Sequence, residues 1–268
     1  MAMSQLSSEQ LKERLLNLCE QIASSENSRL IALCLYGPRV SGWAEDAKSV
    51  DALMVLSPCV PLLRTYRKTL GNVKLLILAV DQRAFGRDVE RGWLGEFVSG
   101  KIIFPYEPLF NEDYLRRQEV KAKKRIIREL LESIVLEFPE LSSELVVKRE
   151  YFMCETMMQR AKLFPAAARS FLGMLASDAR ERNVSMIMEG YLKALEELAE
   201  ENWITLKDEN VAISRNFIDS VKKRRVKVPV FLRSVQRAAL FHVLSFLPKM
   251  MSPFVQDEVD FRKQQGLT

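Results

Sequence analysis

Three short apolar runs constrain this chain more than any other feature: LIALCLYG at 30–37, VDALMVLS at 50–57 and VKLLILAVD at 73–81. Each is nearly continuous rather than alternating, the pattern of a strand buried on both faces, and each is shorter than an ordinary buried helix. Strands of this kind need cover on both sides, so the first part of the chain is read as a small sheet with helices packed on it. One helix is legible directly. SSEQLKERLLNLCEQIAS opens with Ser7 and Gln10 in capping-box spacing and continues with Leu11, Leu15, Leu18, Cys19 and Ile22 at helical period. SPCVPLLRTYRKTLGN, between the second and third runs, is expected to hold a helix or loop, and AFGRDVERGWLGEFVSG to be helical. KIIFPYEPL is extended because Pro105 and Pro108 prevent a helix.

From Asn111 to about Asn202 the pattern is helix after helix, and WITLKDENVAIS then gives two short apolar-rich runs around a polar turn of hairpin length. The fold class is therefore α+β: a small mixed sheet with helices over 1–110, followed by a mainly helical domain over 111–268. A long helix running into a tight hairpin near 203–214 resembles the last helix and wing of a winged-helix module. A composition of 48% hydrophobic and 28% charged residues argues against long disordered tracts. No apolar window reaches the ~20 residues of a membrane span, and the N-terminus lacks a basic-then-apolar signal pattern, so a cytoplasmic protein is expected. Cys19, Cys34, Cys59 and Cys154 have no paired spacing and read as mostly buried thiols. The lone His242, with no visible Ser, Cys or metal partner, defines neither a triad nor a zinc site.

The chemistry-bearing stretch is LYGPRVSGWAEDAKSVDALMVL. It resembles the polymerase-beta-like nucleotidyltransferase superfamily, whose pattern is an apolar strand, a Gly-Ser turn, about ten residues, and two acids in Asp-x-Asp or Asp-x-Glu spacing entering a second apolar strand. The resemblance covers roughly residues 30 to 105, anchored on Gly37, Arg39, Gly42 and the strand that begins at Asp51. Carboxylates at i and i+2 of a strand point to one face and can share divalent cations, and a glycine turn lets phosphate approach the backbone. The resemblance implies Mg2+ or Mn2+ and a nucleoside triphosphate, with Asp51 and Asp81 as metal ligands. It also makes Gly37 the shaper of the phosphate turn and Arg39 a phosphate contact. The chain departs from the pattern at two points. Ser49 stands where the first acid belongs, and Pro38 where the turn serine belongs, which removes a hydroxyl and an N–H donor. Glu45 or Asp46 could swing in to replace the missing acid. Two readings follow: transfer of a nucleoside monophosphate to a hydroxyl acceptor, or a catalytically inactive scaffold (a pseudoenzyme) that binds nucleic acid or a protein through its helical half.

A net charge of +5 and a pI near 9.0 permit a polyanionic partner without requiring one. Lys222, Lys223, Arg224, Arg225 and Lys227, with Arg233 and Arg237 beyond them, form a basic stretch through which RNA or DNA could be held by its phosphates. A second basic group, Arg116, Arg117, Lys121, Lys123, Lys124, Arg125 and Arg128, is expected on the exposed face of one helix, with Glu119 and Glu129 as local partners. Phe152, Met153, Met157 and Met158 fall at helical spacing and read as core, with a groove for a partner or a homo-oligomer as the alternative.

Overall fold

A computed structural model of the chain describes residues 7–42, 49–163, 173–175 and 178–223. The Ser7 capping box forms as expected and starts α1 (Ser8–Ser25), which buries Leu11, Leu15, Cys19 and Ile22. The three apolar runs become β1 (Arg29–Tyr36), β2 (Ser49–Ser57) and β4 (Val73–Asp81). β3 (Leu63–Leu70) was not expected. LRTYRKTL is a strand at one edge of the sheet, where only Tyr66 is buried and the charges face solvent, so it carries no apolar run to announce it. With β5 (Tyr106–Phe110) at the other edge, the order is β3-β4-β2-β1-β5. β2 and β4 are parallel, and the remaining pairs are antiparallel.

One face of the sheet, through Leu33, Leu35, Ala52, Met54, Leu75 and Ile77, packs on α1. The other, through Ala32, Cys34, Leu53, Val55, Leu78 and Val80, packs on helices that follow the sheet. α2 (Gln82–Arg91) ends where Gly92 adopts φ 61, so the segment expected to be one helix breaks into α2, a run of turns over 92–99, and the short α3 (Gly100–Ile103). α4 (Glu112–Glu137) then crosses the sheet face and packs against α6 (Arg180–Glu200). α5 (Glu150–Leu163) lies between them in the chain.

The predicted hairpin is present as β7 (Ile204–Lys207) and β8 (Asn210–Ile213), turning through Asp208 at φ 53. A third strand that the pattern did not reveal, β6 (Val146–Lys148), pairs with β8 to give the order β6-β8-β7. α7 (Arg215–Lys223) closes the described chain. One hydrophobic cluster runs from Ile31 and Val55 in the sheet through Ile127 and Leu131 of α4 to Leu198, Val211 and Phe217. That cluster includes residues on both sides of position 110, where the sequence reading places a domain boundary. Phe152, Met153 and Met157 are in that core, as expected, and Met158 is exposed. Cys19, Cys34 and Cys59 are buried free thiols and Cys154 is exposed. Among the described residues no helix is long and apolar enough to cross a membrane.

Candidate functional site

β1 and β2 form an antiparallel pair in which Tyr36 faces Asp51, so Gly37, one residue on, arrives beside that carboxylate. Gly37 has φ 87, and a Cβ there would lie 3.0 Å from Asp51 Oδ2. Only glycine combines that backbone conformation with so close an approach. Gly37 and Asp51 are therefore brought together as the sequence implied.

The turn beyond Gly37 directs two of its N–H groups inward. Pro38 has none, and the N–H groups of Val40 and Ser41 both donate to Gly37 O, at 3.1 and 3.2 Å, with the Ser41 hydroxyl adding a third bond at 3.0 Å. The turn's outward carbonyls are claimed by α6. Arg182 Nη2 donates to Val40 O at 2.9 Å, and the buried Asn183 donates to Ser41 O at 2.8 Å. The helical half is fastened onto the stretch that a triphosphate would need. Arg39 is half-buried in the same turn, and Ser49 is exposed at the start of β2, on the same side of the strand as Asp51.

Asp51 is half-buried, and burial raises its pKa above the usual carboxylate range while the positive charge of Lys101 pulls it back. Lys101 was not singled out from the sequence. It is the one cation in GKIIF, and it reaches the site because Asp88 organises the turns ahead of it. The fully buried Asp88 carboxylate accepts N–H groups from Leu94, Glu96, Val98 and Ser99 at 2.7, 3.1, 3.2 and 2.8 Å. α3 then presents the Lys101 ammonium over the rings of Tyr36 and Phe97, 5.0 and 5.2 Å from their centres. Burial lowers the Lys101 pKa and Asp51 opposes that shift. The Tyr36 hydroxyl is pushed up by burial first and by the charge of Asp51 second.

Asp81 is not part of this arrangement, which corrects the reading that made it the third acid. Because β2 and β4 are parallel, Asp51 lies opposite Leu76 and Asp81 lies opposite Leu56. Five residues of strand, about 16 Å, separate the two levels. Asp81 instead caps α2, accepting the N–H groups of Arg83 and Ala84 at 2.9 and 3.3 Å and that of Cys59 at 3.2 Å. The residues facing Asp51 and Ser49 on β4 are Leu76 and Lys74, neither of them an acid. Among the described residues no group of three or more His, Cys, Asp or Glu side chains could hold a metal ion. Glu45 and Asp46 lie outside the described residues. A pair of Mg2+ ions does not fit the donors among the described residues.

The basic group expected on α4 is not one exposed face. Lys123 is buried and bonds Glu119 at 2.5 Å and Ile187 O at 2.7 Å. Arg125 is buried against Glu96 and Val89 O. Lys124 pairs with Glu197 and Glu201 of the neighbouring segment, Arg116 with Glu112 and Glu119, and Arg128 stacks on Trp203 at 4.2 Å. Lys123 and Lys124 thus join α4 to α6 and its end, Arg128 joins it to Trp203 before the hairpin, and Arg125 joins it to α2 and the turns after it. Lys222 and Lys223 are exposed at the end of α7, while Arg224, Arg225, Lys227, Arg233, Arg237 and His242 lie outside the described residues.

No protein-family model matches the chain, and no curated protein does. Among solved structures it is similar to a nucleotidyltransferase-like protein from Exiguobacterium sibiricum 255-15. The two chains are 11% identical, with a TM-score of 0.31 over 96% of this chain and 92% of that one.

Proposed function

We propose that this chain is a non-catalytic scaffold of nucleotidyltransferase-like descent that acts by binding a protein partner. The observation that carries the reading is the company Asp51 keeps. The charge that acts on its carboxylate is the Lys101 ammonium, where a two-metal enzyme needs further acids, and Asp81 is committed to capping α2 at the far end of β4. The turn N–H groups already spent on Gly37 O support the same conclusion.

The helical half supports a winged-helix reading: α4, β6, α5, α6, β7 and β8 follow in that order, with β6 paired to β8, the second strand of the hairpin. α6, at the position of a recognition helix, exposes Glu181, Glu189, Glu196 and Glu200 against Arg180, Arg182 and Lys193. That surface has no excess of positive charge to hold phosphates, which turns the reading from nucleic acid toward protein.

Incubation with each labelled nucleoside triphosphate, Mg2+ or Mn2+, and pooled RNA and protein is expected to give no transferred label, in wild type or Asp51→Asn alike. Label that appears with wild type and disappears with Asp51→Asn overturns the proposal and restores the enzyme. Duplex and single-stranded nucleic acids are expected to bind no more tightly than phosphate charge alone provides. Sequence-selective binding that persists across a salt series counts against a protein partner.

A further inference from the structure

The opposite end of the sheet from Asp51 carries a cleft of about 520 Å3, within the roughly 300–1,000 Å3 span of ligand pockets. It lies where the parallel strands β2 and β4 end and α2 begins, and it is lined by Pro58, Val60, Leu62, Arg83, Arg87 and Trp93 among others. Its apolar walls are open to solvent: Val60 is 77% and Trp93 44% exposed. Arg83 and Arg87, four apart on α2, share one side of the helix, and neither forms an ion pair among the described residues. Arg87 instead lies over the Trp93 ring at 5.7 Å. The cleft, which Asp81 also lines, is an apolar trough with two arginines on its rim that form no ion pair among the described residues.

The same chain displays the complement. In the last turn of α4 and just beyond it, Leu136, Phe138 and Leu141 are exposed, with Phe138 at 49%, and Glu137, Glu140 and Glu144 are exposed among them. None of the three acids forms an ion pair among the described residues. The segment is held in shape by its own turns. Ser142 N donates to Phe138 O at 2.9 Å, Leu145 N to Leu141 O at 3.0 Å, and the buried Ser142 hydroxyl to Pro139 O. A preformed segment loses little conformational entropy on docking. It cannot reach the cleft of its own molecule. Tyr114, early in α4, packs beside Phe85, near the start of α2, and Arg125 reaches Val89 near its end. α4 therefore runs past α2 and away from the cleft, and Phe138 lies about 20 Å beyond Arg125 along the helix.

We infer that the cleft around Arg83, Arg87 and Trp93 receives the 136–144 segment of a second copy of this chain, apolar side chains in the trough and glutamates on the arginines. The contact is heterologous, one surface of each copy meeting a different surface of the next, so it builds a ring or an open chain rather than a two-fold dimer. It does not depend on whether the Asp51 end is catalytic.

Sedimentation velocity over a micromolar concentration series tests it. The wild type is expected to grow in mass with concentration, and less so as salt rises. The paired change Arg83→Glu with Arg87→Glu, and separately Phe138→Asp with Leu141→Asp, are each expected to leave a monomer with an unaltered far-ultraviolet spectrum, since all four residues lie at the surface or in the cleft. Mixing the two variants is the decisive arm. Each keeps the surface the other lost, so the mixture is expected to recover one contact and stop at a heterodimer. A wild type that is monomeric throughout, variants that associate as the wild type does, or a mixture that stays monomeric each overturns the inference. A monomeric wild type whose cleft binds an unrelated acidic, apolar peptide assigns the cleft to a foreign partner and overturns it as well.

Discussion

Gly190 in α6 is where a single atom matters most. A Cβ there would fall against Glu119 Oε1 and 2.9 Å from Lys123 Nζ, the two ends of a buried ion pair on α4 whose lysine also bonds Ile187 O of α6. Gly190→Ala is expected to cost about 2–4 kcal/mol in urea unfolding, because the pair must be displaced inside a packed interface where it cannot be resolvated. Gly86, in the middle of α2, has nothing within 4 Å of the same position. Gly86→Ala should therefore stabilise by about 0.4–1 kcal/mol, chiefly by restricting the unfolded chain. At Asp51 the sign is read from pH. Its pKa is raised in the folded protein by burial, so its contribution to stability is fully present below the unfolded value of about 3.9 and is lost as pH rises through the folded value. Carbon-13 titration should place the Asp51 midpoint above that of a free aspartate. Lys101→Met should move it higher still, because the ammonium is the charge that lowers it. The Gly37–Asp51 meeting was legible in the sequence because two consecutive apolar strands joined by one loop pair antiparallel and bring the end of one to the start of the next. Lys101 was not, since its approach depends on a chain of backbone bonds to Asp88 that no spacing encodes.

The fate of Asp81 was decided by an element. Reading SPCVPLLRTYRKTLGN as helix or loop left the direction of the third apolar run open, and an acid at its end could be imagined beside Asp51. β3 occupies that stretch, runs antiparallel to β4, and sends β4 back parallel to β2, carrying Asp81 to the other end of the sheet. An edge strand with charged outer residues has weak hydrophobic patterning, and one missed edge strand reverses everything after it. The turns over 92–99 show an element built by a side chain in place of periodicity. Asp88→Asn keeps the shape but replaces a carboxylate that accepts four N–H groups by an amide with one acceptor oxygen and an NH2 directed at donors. A loss of about 2–4 kcal/mol is expected, seen as a lower urea midpoint at unchanged slope.

At the scale of the molecule the two architectures share their interior. The sheet face carrying Ala32, Leu53 and Val80 is covered by α2 and α4, and the outer side of α4 is covered by α6 and the hairpin. Removing everything after residue 110 would expose that sheet face along with α2, and at about 25 cal/mol per Å2 of apolar surface the loss exceeds the roughly 5–15 kcal/mol by which domains are stable. The fragment 1–110 is therefore expected to lack a cooperative transition, although its strands and α1 keep their own cluster. The intact chain should unfold as a unit. Trp93 stands beside the sheet and Trp203 beside the hairpin, so with Trp43→Phe as the common background the fluorescence of Trp93→Phe and Trp203→Phe proteins, each left with one tryptophan, reads the two halves in turn. Coincident urea transitions in the two variants are the expected result. Separated midpoints, or a folded 1–110 fragment, would mean that the shared cluster is a contact between two independently stable bodies and that the sequence boundary at 110 is a domain boundary after all.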